Sequence, residues 1–127
     1  MSGSVREYIA DQIRPNIPDG WKLEPGIPTL GTLAAPVLWI EYTGFEPAEE
    51  APLAKINVSA DLCIATHKTD ITKGEGDADE HVAALYEAVF AAHTFYRISA
   101  RKAVFNDAYV GWRLSINVIT TNPTTEE

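Results

Sequence analysis

The sequence is poor in cysteine and in long apolar runs. It has one cysteine among 127 residues, Cys63, so an internal disulfide and a disulfide-stapled secreted scaffold are excluded. Its longest apolar stretch, 33–40, contains a proline and is far shorter than the roughly 18 residues that a membrane span needs. No apolar signal segment follows the first methionine. These absences predict a soluble domain made inside the cell.

Basic residues are also scarce. Ten Lys and Arg stand against 18 Asp and Glu, which gives a formal net charge of −8. Tight binding to a nucleic acid or to an anionic membrane requires a clustered cationic surface, which this balance disfavours. The short Gly74-Glu75-Gly76 segment lacks the Lys and Ser/Thr of a phosphate-binding loop. We therefore expect no cofactor, no membrane and no tight nucleic-acid partner.

Apolar residues make up 46% of the chain, enough for a core. Their periodicity predicts helices over 4–14 and 77–96 and strands over 21–24, 37–46, 55–64, 98–105 and 109–121. Capping-box pairs, Ser4 with Glu7 and Asp77 with Glu80, begin the two helices. The polar segments 47–52 and 67–76 are predicted to be a turn and a loop.

The order α-β-β-β-α-β-β predicts an α+β fold. Strands joined by short connections are antiparallel, and the second helix supplies a crossover. We expect a mainly antiparallel sheet of four to five strands with two helices on one face. Residues 1–121 form a single domain in this interpretation, and 122–127 form a flexible C-terminal tail.

The strand that begins at Val37 is apolar on both sides. Val37 and Trp39 point one way, whereas Ile40 and Tyr42 point the other way. Since the helices cover one face only, one of these two pairs needs another cover. We expect a neighbouring subunit to supply it.

No pattern in the sequence predicts catalysis or a metal site. Cys63 and His67 share a strand face, but four strand steps separate them by about 13 Å, too far for a thiolate–imidazole pair. The acidic segment 70–80 fails the spacing of a calcium-binding loop, and Asp77 with His81 supplies only two metal ligands. Helix capping explains these acids more simply.

The aromatic residues and the remaining histidine are interpreted as structural. Trp21, Trp39 and Trp112 each fall within strand alternation, which favours the core or a subunit interface over a stacking platform. His93 lies on the apolar stripe of the second helix and is predicted to be partly buried.

Several short phrases follow one another in a characteristic order: Ser4–Ile13, Pro18-Asp-Gly-Trp21, Pro36-Val-Leu-Trp-Ile40, His67-Lys-Thr-Asp70, an Asp-Ala-Asp helix start at 77 and a closing strand over 109–121. In this order the chain, over about residues 4–121, resembles the tail terminator proteins of long-tailed (siphovirus-type) bacteriophages, particularly those that infect actinobacteria. The resemblance implies a mixed sheet flanked by helices. It also implies a hexameric ring that caps the tail tube, ends tube polymerisation and joins the tail to the head.

The resemblance further implies the partners and the location. The partners are other copies in a homohexamer, the tail tube protein and a head-neck connector or stopper protein, with genomic DNA passing through the ring without sequence-specific binding. The protein is made in the host cytoplasm and lies in the virion at the head-proximal end of the tail. The family has no catalytic, cofactor-binding or metal residues to carry over.

Two sets of residues are assigned to this assembly. Subunit or tube contacts are expected at the strand face and at the two polar segments, which rigid strands position: Val37, Trp39, Pro47, Glu49, Pro52, His67, Lys68, Asp70 and Lys73. Acids that keep a DNA channel from binding phosphate are expected at Glu41, Glu46, Glu50 and Asp77.

Three other interpretations stay open. The chain could be another phage neck or tail-tube component, because these share folds of this kind. It could be a small-molecule-binding α+β domain that uses the Trp-containing sheet, or a regulatory module such as a toxin-neutralising partner. The lack of a nucleophile–base pair, a metal set and a phosphate loop favours assembly over catalysis.

Overall fold

The computed structural model describes residues 5–24, 26, 35–49, 55–66, 71–105 and 109–121, with side chains for all of these except 71–75 and 121. Its elements are two helices and five strands: α1 (Val5–Ile13), β1 (Lys22–Glu24), β2 (Val37–Pro47), β3 (Lys55–Ala65), α2 (Ile71–Ala92), β4 (Tyr96–Phe105) and β5 (Tyr109–Thr121). The α+β class and the element order predicted from the sequence are confirmed.

The first helix forms because its apolar residues recur on one face. Ile9, Ala10 and Ile13 of α1 are fully buried in the main core. A short 3-10 turn, Arg14–Asn16, follows directly, and Pro15 in it lacks the amide hydrogen that would extend the α-helix. The observed bounds agree with the predicted 4–14 to within a residue at each end, although Ser4 lies outside the described residues.

The sheet has the strand order β1-β2-β3-β5-β4. Three of its four pairings are antiparallel, but β1 pairs with β2 in parallel through Lys22–Val37, Leu23–Leu38 and Glu24–Trp39. The sheet is therefore mainly antiparallel, as predicted, but mixed, because β1 and β2 run in the same direction. The physical reason is the length of the 25–36 connection, which is sufficient to return the chain to the same end of the sheet.

The second helix carries the chain across β5 from β3 to β4. Leu85 and Val89 of α2 are buried in the same core as Leu114 and Ile116 of β5. The helix and the main core therefore lie on one side of the sheet, as predicted.

The predicted bounds of this helix, 77–96, were wrong at both ends. It begins six residues earlier, at Ile71, and Asp77 and Glu80 lie inside it instead of capping it. Gly74 and Gly76 led us to predict a loop, but each glycine costs a helix only about 1 kcal/mol. The helix ends at Ala92 because His93 adopts a left-handed conformation with φ 57°, and this side chain is exposed, not partly buried.

Alternation along β3 is as predicted. Ile56, Val58, Ala60, Leu62 and Ile64 face the helices and are buried in the main core. The intervening residues face the other side of the sheet, which no described helix covers. We call this side the helix-free face.

The chain itself covers the apolar end of the helix-free face. Val37 and Trp39 are only 6% and 2% exposed and pack in a second cluster with Phe105 and Tyr109. The ring centroids of Trp39 and Phe105 lie 4.8 Å apart in an edge-to-face arrangement. The argument that these two residues need a neighbouring subunit to bury them therefore does not hold.

Gly111 makes this cover possible. A Cβ at this position would overlap the carbonyl oxygen of Ile64 and would lie 2.8 Å from Cε2 of Phe105. Because Gly111 has no side chain, the Phe105 ring can lie across β5 and reach Trp39 on β2. The cover of β2 was missed from the sequence because it depends on this contact between distant strands.

Candidate functional surface

The helix-free face is the candidate functional surface of this protein. It is formed by alternate residues of β2, β3, β5 and β4, which the cross-strand registers place side by side. From one end of the strands to the other it changes from an apolar cluster to a network of charges and then to a polar cleft.

At the apolar end lies the only thiol of the chain. Cys63 is fully buried beside Trp39 and Phe105. Burial and the nearby Glu41 carboxylate raise the pKa of the Cys63 thiol to about 12. The thiol is therefore protonated at neutral pH, and it lacks the thiolate that a nucleophile or a metal ligand requires.

Arg113 connects the apolar end to the charged centre. Its Nη1 donates to Oε1 of Glu41 at 2.9 Å and to Sγ of Cys63 at 3.3 Å. Its guanidinium carbon lies 5.2 Å from the centre of the Phe105 ring, within the range of a cation–π contact. The side chain is 28% exposed, so these contacts form in a partly desolvated site.

Asp61 is the buried acid of the charged centre. It is 3% exposed, and its Oδ1 accepts a hydrogen bond from Ser115 Oγ at 2.8 Å. Its Oδ2 lies 3.1 Å from Nη2 of Arg101 and 3.7 Å from Nη1 of Arg113. Two cations and a hydroxyl thus compensate the loss of water around this carboxylate.

Glu41 is held as a carboxylate by its neighbours. Burial raises the pKa of Glu41, but hydrogen bonds from Trp39 Nε1 and Arg113, together with the charge of Arg113, outweigh burial and lower the pKa below 4.5. In turn, burial lowers the pKa of Arg113, but the hydrogen bond to Glu41 and the charge interactions with Cys63, Glu41 and Asp61 together raise it, and the net shift is upward. The two groups are ionised together, which is the pattern of a structural ion pair.

Beyond the charges, a row of amides and hydroxyls crosses the sheet. Nδ2 of Asn117 donates to Oδ1 of Asn57 at 3.0 Å and to Oγ of Ser59 at 2.9 Å. These contacts satisfy the polar groups between β3 and β5 and leave the face hydrophilic, as is usual for an antiparallel sheet with one side toward water.

A cleft of about 390 Å³ occupies the far end of this face. It is lined by residues from the end of β2, from β3, from β5 and from the start of β4: Glu46, Pro47, Ala48, Glu49, Asn57, Tyr96, Arg97 and Ile119. Arg97 lies in a bulge of β4 and has a left-handed φ of 54°. A bulge re-aims the side chain of its strand, and here it places Arg97 on the rim of the cleft.

The structure separates the residues predicted to form contacts. Pro47 and Glu49 line the cleft, whereas Val37 and Trp39 lie in the apolar cluster. Lys73 lies in α2 without a described side chain. Pro52, His67, Lys68 and Asp70 lie outside the described residues.

The predicted lumen acids are also divided. Glu41 belongs to the charged centre and Glu46 to the cleft. Asp77 lies half-buried within α2, and Glu50 lies outside the described residues. Glu41, Glu46 and Asp77 therefore do not form one cluster.

Arg113, Asp61 and Arg97 were missed by sequence reasoning. Arg113 and Asp61 are charged residues on the polar side of two alternating strands, which resembles an ordinary solvated face. Only the β3–β5 register, in which Asp61 pairs with Ser115 and Cys63 with Arg113, brings them together. The sequence signal that could have found them is an acid on one such strand and a base on the next.

The tryptophans do not form a shared platform. Trp21 and Trp112 pack against the main core, whereas Trp39 belongs to the apolar cluster of the helix-free face. Trp21 meets His81 edge-on at 5.4 Å, and the ammonium of Lys102 lies 5.5 Å from the Trp112 ring. Trp39 is buried, and Trp21 and Trp112 are partly buried against the main core.

The described part of the chain contains neither a cluster of metal-ligand side chains nor an apolar helix of membrane length. Within it, no three His, Cys, Asp or Glu side chains come close enough together to hold a metal ion. None of the described helices is both long enough and apolar enough to span a bilayer.

No family model matches the chain. No curated protein matches it either. The resemblance to tail terminators therefore rests on the order of the sequence phrases alone, and the function is argued below from that order and from the helix-free face.

Proposed function

We propose that this protein is the tail terminator of a long-tailed bacteriophage. In this role it forms a homohexameric ring that caps the completed tail tube, ends tube polymerisation and joins the tail to the head-neck connector or stopper protein. The observation that carries the proposal is the sheet. It is mixed, flanked by helices on one face and built in the order α-β-β-β-α-β-β, which is the architecture that the sequence resemblance implies.

We propose that the role is structural and not enzymatic. The most chemically reactive residue type in the chain, the cysteine, is protonated and buried. Glu41, Asp61, Arg101 and Arg113 neutralise one another through direct contacts. Charged side chains that already form ion pairs with one another stabilise the local structure. They are not available as nucleophiles or as general acids and bases.

The charge of the chain supports the proposed relation to DNA. A ring of acidic subunits with a formal charge of −8 each does not neutralise phosphate, so DNA passes through the lumen without tight binding. Glu46, one of the acids expected from the sequence to face the lumen, lies at the cleft end together with Glu49. In this proposal the protein lies in the virion, at the head-proximal end of the tail.

One observation favours a second candidate, a small-molecule-binding domain. The 390 Å³ cleft brings an arginine, two glutamates, a tyrosine ring and an amide together, a mixture of groups that can fix the orientation of a polar ligand. The same cleft also suits a loop of the tail tube protein or of another neck component. The experiment below distinguishes these roles.

Electron microscopy of tails with this protein labelled tests the proposal. We expect a single band of label at the head-proximal end of each tail. The tail tube protein with the same label is the matched control and should decorate the whole tube. Label along the tube or at the distal tip would indicate another tail component. Tails without label would reject the terminator role and favour the small-molecule-binding role.

Deletion of the gene provides a second readout. Without a terminator, tube polymerisation is not stopped at its normal end, so we expect tails of irregular length that do not join heads. A wild-type copy supplied in trans should restore both properties. Normal particles from the deletion strain would overturn the proposal.

A further inference from the structure

Among the described residues, strand edges on both sides of the sheet have no pairing partner. β4 is the last strand on one side, and its outer edge is paired with no described residue over Tyr96–Phe105. On the other side, β1 covers β2 only at Val37–Trp39. From Glu41 to Pro47 the outer edge of β2 is likewise paired with no described strand. Open edges of this kind are templates for another strand.

The two edges have opposite charge. β4 carries Arg97, Arg101 and Lys102 and has no acidic residue. β2 from Glu41 onward, with the residues that follow it to Glu49, carries Glu41, Glu46 and Glu49 and has no basic residue. We call these the basic edge and the acidic edge. Glu41, Arg101 and Lys102 already form ion pairs within the chain. Among the described residues, Arg97 on the basic edge and Glu46 and Glu49 on the acidic edge are therefore the charges left to steer two copies together.

The strand directions are also compatible. β2 is antiparallel to β3, β3 to β5 and β5 to β4, so β4 runs opposite to β2 within one chain. A neighbour related by rotation about an axis along the strands keeps these directions. Its β2 therefore runs opposite to the β4 that it meets, which continues the antiparallel pattern of the sheet.

The charges lie at matching heights along the strands. Glu41 shares a row across the sheet with Asp61, Ser115 and Ser99. Arg97 and Arg101 stand two residues to either side of Ser99 on β4. Copies in a closed ring stand level with one another because rotation adds no rise. When two copies stand level, Arg97 of one copy therefore lies two residues above, and Arg101 two residues below, the row that contains Glu41 of the other copy, or the reverse.

We propose that the basic edge of one copy lies against the acidic edge of a second copy of this chain, and that this head-to-tail contact builds the ring. The contact uses two different surfaces, so it repeats from copy to copy and closes where the rotation closes. This inference rests on the proposed function for the number of copies but not for the contact itself. It also moves the expected subunit interface away from Val37 and Trp39, which the chain already buries.

Cysteine cross-linking tests the contact directly. The native thiol, Cys63, is buried and unreactive, so new cysteines report on a clean background. Thr43→Cys places a thiol on the acidic edge, and Ser99→Cys places one on the basic edge; both positions are exposed. Because Ser99 is level with Glu41, Thr43 lies two residues, or about 7 Å, farther along the neighbouring strand. With a short bifunctional thiol reagent that spans this offset, the chain with both changes should give a ladder of cross-linked species, in concentrated protein or in assembled tails.

The two single variants are the matched controls. Each alone should give no cross-linked species, and their mixture should give heterodimers and no ladder, because the contact joins unlike edges. Dimers from either single variant would show a symmetric contact and would overturn the proposal. The absence of a ladder in both concentrated protein and tails would overturn it as well, and would leave the cations as residues that merely protect an edge strand.

A charge exchange tests the electrostatic part. In the double-cysteine chain, Glu46→Lys should reduce the cross-linked fraction several-fold, and adding Arg97→Glu should restore most of it. High salt should lower the cross-linked fraction of the double-cysteine chain that has no charge change. It should also reduce the differences in cross-linked fraction between this chain and the two charge variants. Cross-linking that is insensitive to both charge changes would contradict the charge pairing.

The outcomes of this test and of the test of function are separable. A ladder from a protein that is absent from tails would leave the edge contact in place and remove the terminator role. A terminal band on tails without any ladder would support the terminator role and remove the edge contact.

Discussion

Arg113 contacts Glu41, Asp61, Cys63 and Phe105 from one position in the middle of β5. Arg101 contacts the same Asp61 from β4, but its side chain is 62% exposed. The two arginines therefore form ion pairs with one acid in different surroundings. Desolvated partners lose more than exposed ones when a contact is removed, because water cannot replace the missing group.

We expect Arg113→Ala to lower the free energy of unfolding by about 2–3 kcal/mol, since it leaves Glu41 and Asp61 with fewer partners in a partly buried site. Arg101→Ala, the matched control, should cost less, about 1–2 kcal/mol, because Ser115 and Arg113 still contact the buried Asp61 and water can replace the exposed guanidinium. Urea unfolding at neutral pH measures both changes. Equal losses would show that burial does not distinguish the two ion pairs.

The pH dependence of stability should report on Glu41. Its pKa in the folded state lies below the value of 4.5 that it takes in the unfolded chain. An acid whose pKa is lower in the folded state than in the unfolded chain contributes its full stabilisation above the pKa of the unfolded chain. This contribution disappears as the pH falls through the pKa of the folded state. We expect the stability difference between wild type and Glu41→Gln to be constant above pH 5 or so and to shrink steadily below it.

Urea unfolding of both proteins over a series of acidic pH values measures this difference. Other carboxyl groups titrate in both proteins and cancel in the comparison. A difference that grows as the pH falls would mean that Glu41 is not held as a carboxylate in the folded protein.

Among the elements, β5 and α2 contain two glycines, Gly111 and Gly76, that have opposite effects on stability. Gly111 in β5 is crossed by Phe105, and a Cβ there would overlap Ile64. Gly76 in α2 is exposed, and a Cβ added there would have nothing within 4 Å. One glycine is required by packing, whereas the other only reduces the stability of its helix.

We expect Gly111→Ala to destabilise the protein by at least 2 kcal/mol or so, because Phe105 and the β3–β5 ladder must move apart. Gly76→Ala should instead stabilise it by up to about 1 kcal/mol, since alanine favours the helix. Thermal unfolding of both variants measures the two shifts in Tm. A neutral Gly111→Ala would contradict the close crossing of Phe105 over β5.

At the scale of the whole molecule, the net charge is negative, and the basic residues are unevenly distributed. The basic residues Arg97, Arg101 and Lys102 cluster on β4, but the chain as a whole carries −8. Long-range attraction to DNA depends on the total field of the protein as well as on local patches. The edge cations are therefore better suited to an acidic protein surface than to a duplex.

We expect the isolated protein not to bind duplex DNA at physiological salt. Fluorescence anisotropy of a labelled duplex should stay unchanged as protein is added. A variant that reverses Glu46 and Glu49 to lysine is the control for an acidic surface that repels phosphate, and it should bind more than the wild type at low salt. Tight, salt-sensitive binding by the wild type would contradict a passive channel wall.

The amino-acid sequence by itself determined the order of the elements and the buried side of β3. Local periodicity is enough for this, because Ile56, Val58 and Ala60 alternate with polar residues whatever their partners are. The start of α2 was predicted wrongly because glycine was weighted as a stop signal, although a long helix tolerates it.

Only the tertiary structure decided which residues of the helix-free face contact one another. The Arg113–Glu41 ion pair joins residues 72 positions apart, and Phe105 reaches Trp39 across two intervening strands. Such contacts depend on strand order and register, which local sequence patterns do not encode. The parallel β1–β2 pair and the two oppositely charged edges likewise follow from the path of the chain through space, since a strand's neighbours are chosen by the packing of the whole sheet.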